Sequence, residues 1–312
     1  YYTNIIIKII KKERKRMKKY LDGYISYLRD EKSASQSTLQ SYKRDVAQFF
    51  AYKEKLLGEK VTPNMISEKD LKDYMCALEE KGRSCATVSR FVASARGYFE
   101  YLHKQGILAE NPAAFLHARK EHRGLPDILT SAEVDLLFTQ PICQNFKGCR
   151  DKAMLELLYA TGIRVSELIA LNTTDVDLKS SVLYCQHDGK SRALPIYREA
   201  IQAVEQYLDR ATGMVHTIKS EDALFVNVSG KRITRQGFWK IVKDYAEQAG
   251  IQKKITPHTL RHSFAAHLLE NGADLKSIQQ MLGHADISST QIYERIVNNQ
   301  FRSVYNRCHP KA

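Results

Sequence analysis

The sequence predicts a mainly α-helical protein of two domains, the second of mixed α/β type with a small β-hairpin or sheet. At 312 residues the chain fits one large or two ordinary domains. Apolar residues recur at helical spacing from Lys18 to about Leu116. The following stretch, HARKEHRGLP at 117–126, is polar and basic and contains glycine and proline, as is typical of a linker. We therefore expect domains at 17–116 and 127–312.

Net charge indicates the class of partner. Lysine and arginine number 48 against 35 aspartate and glutamate residues, which gives a formal net charge of +13. This surplus favours an anionic partner, with nucleic acid the leading candidate, over a protein that is merely basic. The hydrophobic fraction of 43% is ordinary for a globular chain that buries a core.

The cysteine pattern argues against a zinc site or a disulfide framework. Six cysteines are scattered along the chain without a C-x-x-C pair: Cys76, Cys85, Cys143, Cys149, Cys185 and Cys308. Reduced thiols in a cytoplasmic protein are the simplest interpretation. The apolar run Ile5–Ile10 is too short to span a bilayer, so we expect no membrane partner. The phosphate loop G-x-x-x-x-G-K is absent, so nothing indicates ATP use.

Four helices are predicted before the linker. They begin near Lys18, within 35–38, at 66–70 and at Thr87. We interpret their aromatic residues as core, because aromatic residues at helical spacing usually pack inward. The basic residues that would then lie outside this core are Lys43, Arg44, Arg90 and Arg96.

The second domain is predicted to start near Leu129 and to be mostly helical. Helices are expected over 151–159, 164–170, 198–209 and 234–249. Val182–Gln186 and Ala193–Ile196 are predicted strands joined by a hairpin turn, and 225–231 is predicted as a further short strand and turn. In the helix at 234–249, Arg235, Gln236 and Lys240 are candidate DNA contacts, whereas Trp239 is expected to pack.

The segment from Thr256 to Tyr293 concentrates the chemistry. Thr256 is a helix cap and Pro257 suits the first turn, so His258 and Arg261 share a face near a helix start. Both side chains can therefore reach one anion. A second helix from Leu275 is expected to stop at Gly283, which His284 follows directly, and a short helix then carries Tyr293. No cluster of acidic residues accompanies them, so a two-metal site is not expected.

These motifs resemble the catalytic core of the tyrosine recombinases, the phage integrase family. H-x-x-R at 258–261, L-G-H at 282–284 and a tyrosine nine residues later have the family's order and spacing. Upstream, ATGIRVSEL at 160–168 resembles the first arginine box, with Arg164 as its arginine and Glu167 placed to orient it. The resemblance runs from about Met17 to the C-terminus and is greatest to the Xer branch.

The resemblance implies an enzyme that cuts and rejoins duplex DNA at a specific site without a metal, ATP or another cofactor. Tyr293 would attack phosphorus and form a 3′-phosphotyrosyl bond, which conserves the energy for rejoining. Arg164, Arg261 and His284 would bind the phosphate. His258 would accept the tyrosine proton or bond the phosphate. His262 is interpreted as structural, because it follows Arg261 and should point to another face.

The resemblance also implies how the rest of the chain is used. The four N-terminal helices would form a SAM-like DNA-binding module. The enzyme would act as a homo- or heterotetramer on two DNA sites, and Phe301–Tyr305 would be a segment that docks on a neighbour. The basic run Lys8–Lys19 could be a DNA-binding arm. We favour a disordered leader over 1–16, because the resemblance begins near Met17.

The hairpin departs from the family pattern. The family has a catalytic lysine in a G-K-G-x-K-x-R-like stretch, and the corresponding run here is QHDGKSR at 186–192. The usual lysine position falls on Asp188, and Lys190 is the only lysine in the turn. Either Lys190 has taken the role of proton donor or proton donation is weakened, with His187 as the next candidate.

Three functions remain open at this point. The first is Xer-like resolution of chromosome dimers, and the second is a mobile-element integrase with the same chemistry. The third is a catalytically impaired relative that only positions DNA or a partner recombinase, for which Asp188 is the best argument. The sequence does not identify the DNA target or the need for a second recombinase.

Overall fold

A computed structural model describes residues 18–119, 126–187, 190–212, 222–253, 255–284 and 287–293, without the side chains of residues 187, 190, 257 and 288. The predicted leader, most of the linker, Asp188 and the segment Phe301–Tyr305 lie outside these residues. The chain divides into two compact units, Tyr1–Arg123 and Gly124–Ala312. Among the described helices, none has the length and apolar character needed to cross a membrane.

The described part of the first unit has four α-helices, and serine caps set the starts of three of them. Helix α1 covers residues 18–30, α2 Gln36–Leu57, α3 Glu68–Glu80 and α4 Cys85–Lys104. The Ser35, Ser67 and Ser84 side chains accept hydrogen bonds from backbone amides in the first turns of α2, α3 and α4. The capping box that Ser67 forms with Asp70 satisfies two amides at the start of α3.

Aromatic residues fill the core of the first unit, in agreement with their helical spacing. Tyr24, Phe49, Phe91, Tyr98 and Phe99 are all at most 2% exposed. Several of these rings meet edge to face, including Tyr24 with Tyr98 at a centroid distance of 5.6 Å. Such contacts add to the free energy gained by burying the rings.

The described part of the second unit contains seven helices and a small sheet, and one of these helices is largely buried. Helix α5 covers Ser131–Thr139, α6 Phe146–Thr161, α7 Val165–Ala170, α8 Arg198–Thr212, α9 Arg235–Gln248, α10 Pro257–Glu270 and α11 Leu275–Leu282. Most side chains of α6 are buried, and this helix packs against α8 and α10. A 3₁₀ turn, Ile287–Ser289, precedes helical residues 291–293.

The antiparallel sheet corrects the predicted strands. Strand β1 covers Val176–Asp177, β2 Val182–His187 and β3 Lys190–Pro195, in the order β1-β2-β3. The hairpin ladder extends to the pair His187 and Lys190, so Arg192 lies in a strand opposite Cys185 and not in a loop. Residues 225–231 form no strand, because Val226 makes only an isolated bridge with Arg232.

A disulfide between Cys143 and Cys149 corrects the expectation that these thiols are reduced. The loop before α6 turns back over the first turn of the helix, which brings the two Cα atoms to 4.3 Å. Two features allow this turn: Asn145 caps α6, and Gly148 has no side chain to strike the carbonyl of Ile142. A spacing of six residues gave no sign of this fold-back.

Two glycines in equivalent helix positions should respond differently to alanine. Gly148 and Gly237 each donate a backbone hydrogen bond to the capping side chain three residues earlier. A Cβ on Gly148 would lie 1.9 Å from the Ile142 carbonyl oxygen, whereas a Cβ on Gly237 would meet only side chains, at 3.2 Å or more. We expect Gly148→Ala to lower the free energy of unfolding by about 1–3 kcal/mol.

The matched variant Gly237→Ala should stay within about 1 kcal/mol of the wild type, because alanine favours the helix over glycine. Urea unfolding followed by circular dichroism measures both. Equal effects of the two substitutions would show that the Ile142 contact does not constrain this turn.

Candidate active site

Helix α10 presents the H-x-x-R pair as the sequence predicted. Thr256 caps the helix through a hydrogen bond from the Thr259 amide, and His258 is exposed in the first turn. Arg261 is only 5% exposed. Its Nη1 donates to the Gly162 carbonyl at 2.5 Å, and its Nη2 donates to the Leu282 carbonyl at 2.6 Å. Arg261 therefore joins α10 to the carboxyl ends of α6 and α11.

Arg164 stands at the start of α7, where Glu167 fixes it. The Glu167 carboxylate accepts from the Arg164 backbone amide at 2.7 Å and from its Nη1 at 3.1 Å. The Nη2 of Arg164 donates to the Gly283 carbonyl at 3.2 Å. Arg164 is thereby held against the turn that carries His284, and 28% of its side chain remains exposed.

Arg192 is a second partner of Glu167 that the sequence did not point to. Its two Nη atoms donate to the Glu167 carboxylate at 3.2 and 2.8 Å, and its Nε donates to the Met281 carbonyl at 3.0 Å. Burial alone would raise the pKa of Glu167, but the bonds from Arg192 and Arg164 and their charges outweigh burial and lower this pKa. Glu167 is therefore ionised at neutral pH.

Gly283 ends α11 in the left-handed conformation, with φ 63°, and sets the position of His284. A Cβ at Gly283 would lie 2.9 Å from Nη1 of Arg192, so a side chain there would displace that guanidinium. The His284 Nδ1 lies 3.0 Å from the buried Thr290 hydroxyl. Burial and the charges of nearby arginines lower the pKa of His284 to about 4.

Tyr293 lies beneath the surface beside α10. It is 1% exposed and packs in a small apolar cluster with Phe264, Ile278 and Leu282. Its hydroxyl lies 3.0 Å from Nδ1 of His262. Burial raises the pKa of Tyr293, and the positive charge of Arg261 opposes that shift.

Arg164 and Arg261 lie close enough to His258 and His284 for their charges to lower the pKa of both histidines. Partial burial and the charges of Arg235, Arg261 and Arg164 lower the pKa of His258. Burial and the charge of Arg164 lower the pKa of Arg261 to about 10, so that arginine stays charged at neutral pH. The site therefore combines guanidinium groups that stay charged with imidazole rings that are neutral. This combination favours the binding of an anion.

The structure does not test the prediction that Lys190 is the general acid. Lys190 begins β3 opposite His187, but both side chains lie outside the described part of the chain, as does Asp188. Lys190 therefore remains a prediction. Only its backbone position at the end of the ladder is given.

A basic groove adjoins the site. It encloses about 1280 Å³ and is lined by one face of α9 together with Val165, Thr256 and His258. Arg235, Lys240 and Lys243 lie along it. Trp239 was expected to pack, but it is 45% exposed at this groove.

The candidate DNA contacts of the first unit differ in whether their side chains are already hydrogen-bonded or ion-paired within the unit. Arg44 is exposed, and no hydrogen bond or ion pair of its side chain occurs among the described residues. Lys43 pairs with Asp22 at 2.8 Å, and Arg90 pairs with the buried Asp45 at 2.7 Å. Arg96 bonds the Leu116 carbonyl and lies 3.3 Å from Nδ1 of His117.

His262 is the site residue that sequence reasoning missed. Its contact with the Tyr293 hydroxyl contradicts the expectation that it faces away. The signal was present, because His262 follows His258 by four residues and residues four apart share a helix face.

Comparisons with known proteins point to the same family in both units of the chain. Residues 127–300 match the phage integrase family, and residues 21–106 match the phage integrase N-terminal SAM-like domain. The tyrosine recombinase XerD of Oceanobacillus iheyensis is 45% identical over 295 residues, which cover 94% of this chain and 98% of that protein. The tyrosine recombinase XerC of Herpetosiphon aurantiacus is 43% identical over 288 residues, which cover 91% of this chain and 92% of that protein.

A solved structure shares the fold. The XerH site-specific recombinase bound to palindromic difH substrate, a post-cleavage complex, aligns with a TM-score of 0.71 over 91% of this chain and 94% of its own. The sequence identity is 19%, so this likeness shows the fold alone.

The buried Glu167 should contribute a pH-dependent part of the stability. Its folded-state pKa is lower than the ordinary value of 4.5, so its contribution is complete above that value and is lost as the pH falls through the folded pKa. We expect Glu167→Gln to cost about 2–4 kcal/mol at pH 7, because two buried guanidinium contacts lose their counter-charge. The difference from wild type should shrink as the pH falls below 4.5.

Unfolding by urea between pH 3 and pH 7 measures this difference. Glu205→Gln, on the exposed face of α8, is the control and should leave the stability unchanged. A Glu167→Gln difference that stays constant with pH would show that shape rather than charge matters at this position.

Proposed function

Because this chain belongs to the phage integrase family and is a site-specific tyrosine recombinase, which breaks and rejoins DNA, we propose that Tyr293 is its nucleophile. In this proposal the Tyr293 oxygen attacks the scissile phosphorus and forms a 3′-phosphotyrosyl bond, and the 5′-oxygen leaves. The covalent bond keeps the energy of the phosphodiester, so rejoining needs no ATP.

The convergence of Arg164, Arg261, His258 and His284 is the observation that carries this proposal. The two arginines come from different helices, and their guanidinium groups are fixed by carbonyl and carboxylate oxygens. A guanidinium has more N–H donors than these contacts use, so each retains donors for phosphate oxygens. Donors fixed before the reaction usually supply the largest part of transition-state stabilisation.

The two histidines have different places in this scheme. His258 is exposed at the groove next to Arg235, where a DNA strand would pass, and we assign it to the phosphate. His284 is partly buried and is held by Thr290, so it donates from a fixed position. Both are neutral at neutral pH, which leaves each ring one N–H to donate.

The proposed DNA contacts outside the site follow the exposure of the basic residues. Arg235 and Lys240 line the groove beside His258, and Arg44 is exposed on the first unit. These three are the strongest candidates for phosphate contacts. Arg90 and Arg96 are engaged within their own unit, and Lys43 is paired with Asp22, so their contribution to DNA binding would require exchange of partners.

The biological role that we propose is Xer-like recombination, such as the resolution of chromosome dimers, in the cytoplasm. Its support is the 45% identity with a tyrosine recombinase XerD along almost all of both chains. A mobile-element integrase has weaker support, because the likeness to a Tn1549 transposon integrase, at 21% identity, concerns the fold alone. We further propose action as a tetramer, formed by this chain alone or with a second recombinase.

Removal of the Tyr293 hydroxyl should abolish covalent capture of DNA. We expect Tyr293→Phe to bind a duplex site as the wild type does and to form no adduct with a nicked suicide substrate, because phenylalanine has no nucleophile. Denaturing electrophoresis measures the adduct. Tyr159→Phe is the matched control, since the Tyr159 hydroxyl also lies close to a histidine of α10, at 2.7 Å from Nδ1 of His267. It should retain the adduct.

An adduct on Tyr293→Phe, or an adduct mapped to Tyr305, would disprove the assignment of the nucleophile. No adduct on the wild-type protein with its cognate site would favour the catalytically impaired relative. Sequencing the trapped DNA would also identify the target site.

Lys190 should be needed only when the leaving group needs a proton. As general acid it would contribute about 10²–10⁴-fold to cleavage of ordinary DNA. We expect Lys190→Ala to lose that factor on ordinary DNA and to cleave at near the wild-type rate when sulfur replaces the bridging 5′-oxygen, because a thiolate leaves unprotonated. An equal defect on both substrates would assign Lys190 to binding or folding. Absence of any defect would remove it from the mechanism and direct attention to His187.

A further inference from the structure

Trp239 is the only tryptophan of the chain, and 45% of it is exposed at the basic groove beside His258. The inward face of α9 is filled by other side chains, since Phe238, Ile241 and Val242 are all buried. A single exposed apolar residue is common on protein surfaces, so exposure alone gives Trp239 no function. Its neighbours in the groove supply the further evidence.

Cations flank Trp239 on the exposed face of α9. Arg235 precedes it by four residues and Lys243 follows it by four, and residues four apart share a helix face. Lys240 lies beside them, and all three cations are exposed. Within the part of the chain that the structure describes, no hydrogen bond or ion pair engages these three side chains. The face therefore presents an indole ring between cations that can bind phosphates.

Apolar side chains complete the lining of the groove. Val165 and Ile169 of α7 and Ile233 lie along it together with Trp239. A ligand that matches this lining carries negative charge for the cations and an apolar group for the indole. Duplex DNA offers that combination in its major groove, where the 5-methyl group of thymine is the apolar feature of the base edges. The faces of the bases are stacked on one another inside the duplex, so the ring would meet base edges.

The dimensions of α9 agree with those of the major groove. Arg235 and Lys243 are about 12 Å apart along the helix axis, at the usual rise of about 1.5 Å per residue. The major groove is about 12 Å wide and admits an α-helix, whereas the minor groove is only about 6 Å wide. The two cations can therefore reach phosphates on opposite sides of the groove, with Trp239 midway between them facing the base edges.

We propose that Trp239 determines sequence specificity by contacting the 5-methyl group of a thymine in the major groove. This inference rests on the proposed binding of DNA along the groove and adds the base that is read there. Arg235, Lys240 and Lys243 bind phosphates, which carry no sequence information, and the indole ring covers the methyl group. Trp239 is therefore a specificity-determining residue and takes no part in the chemical steps.

The expected effect of this contact is modest and selective. Removal of one methyl group from water is worth about fourfold in affinity. A large share of the affinity for DNA comes from phosphate contacts, which do not depend on the base. Loss of the indole should therefore abolish the preference for thymine and leave most of the binding in place.

The first experiment selects bound duplexes from two pools of random sequence. One pool contains thymine and the other contains uracil in its place, so the pools differ only in the 5-methyl group. We expect the wild-type protein to enrich thymine at a fixed position in the first pool and to show no preference for uracil there in the second. Trp239→Ala should show no preference at that position in either pool.

The second experiment measures affinity for a defined pair of duplexes. Both have the enriched sequence, with thymine or uracil at the selected position. The wild type should bind the thymine duplex about fourfold more tightly. Trp239→Ala should bind the two equally, and Trp239→Phe should keep part of the preference because its ring is apolar. Tyr184→Ala is the matched control, since Tyr184 is 46% exposed but does not line the groove, and it should keep the full ratio.

Three outcomes would overturn the proposal. The first is a wild-type protein that prefers no thymine over uracil at any position. The second is Trp239→Ala with the wild-type ratio between the two duplexes. The third is an equal loss of affinity for both duplexes in Trp239→Ala, because the ring would then contact DNA without reading the methyl group. The melting temperature of each variant should stay near that of the wild type, since the substituted side chains are exposed.

These binding measurements need no nucleophile, so they separate the reading of thymine from the chemistry at Tyr293. Failure of Tyr293 to form the covalent adduct would leave a measured preference for thymine standing. A protein that forms the adduct through Tyr293 but binds thymine and uracil duplexes equally refutes the role of Trp239 alone. A wild-type protein that binds no duplex refutes both this inference and the proposed binding of DNA along the groove.

Discussion

One buried carboxylate organises the site. Glu167 is 5% exposed and lies between Arg164 and Arg192, which come from different elements of the second unit. Two guanidinium groups brought together in a poorly solvated space would repel each other, and the cost would be several kcal/mol. The shared carboxylate removes that repulsion and leaves Arg164 partly exposed toward an anion. Arg192 in turn binds the Met281 carbonyl, so the same carboxylate also fixes the turn that carries His284.

The arginines of the site keep a permanent positive charge, whereas its histidines are neutral and can take up a proton. Arg261 is held by two helix-end carbonyls and keeps its charge in spite of burial. His262 and His284 lose theirs, because burial and the nearby arginines favour the neutral rings. In the proposed mechanism, a phosphate would therefore meet arginine donors that do not change protonation state, beside imidazoles that can. That division suits a reaction in which one oxygen loses a proton while another gains one.

The sequence predicted the features that depend on local chemistry. The cap at Thr256, the end of α11 at Gly283 and the helical first unit follow from residue types at fixed offsets, and the structure confirms them. What it did not predict depends on contacts between distant segments. Arg192 meets Glu167 across 25 positions, and the fold-back that joins Cys143 to Cys149 depends on the absence of a side chain at Gly148. The orientation of His262, by contrast, could have been predicted from its four-residue spacing from His258.

The ion pair between Arg192 and Glu167 has a consequence for how the hairpin can change in evolution. Side chains along a strand alternate between the two faces of a sheet, so a shift of β3 by one residue against β2 would turn Arg192 away from Glu167. Insertions or deletions between His187 and Lys190 are therefore tolerated only if they leave the pairing of Arg192 with Cys185 intact. Length variation among relatives should accumulate at the tip of the hairpin. The strands below the tip should keep a constant length, although their residue types can change.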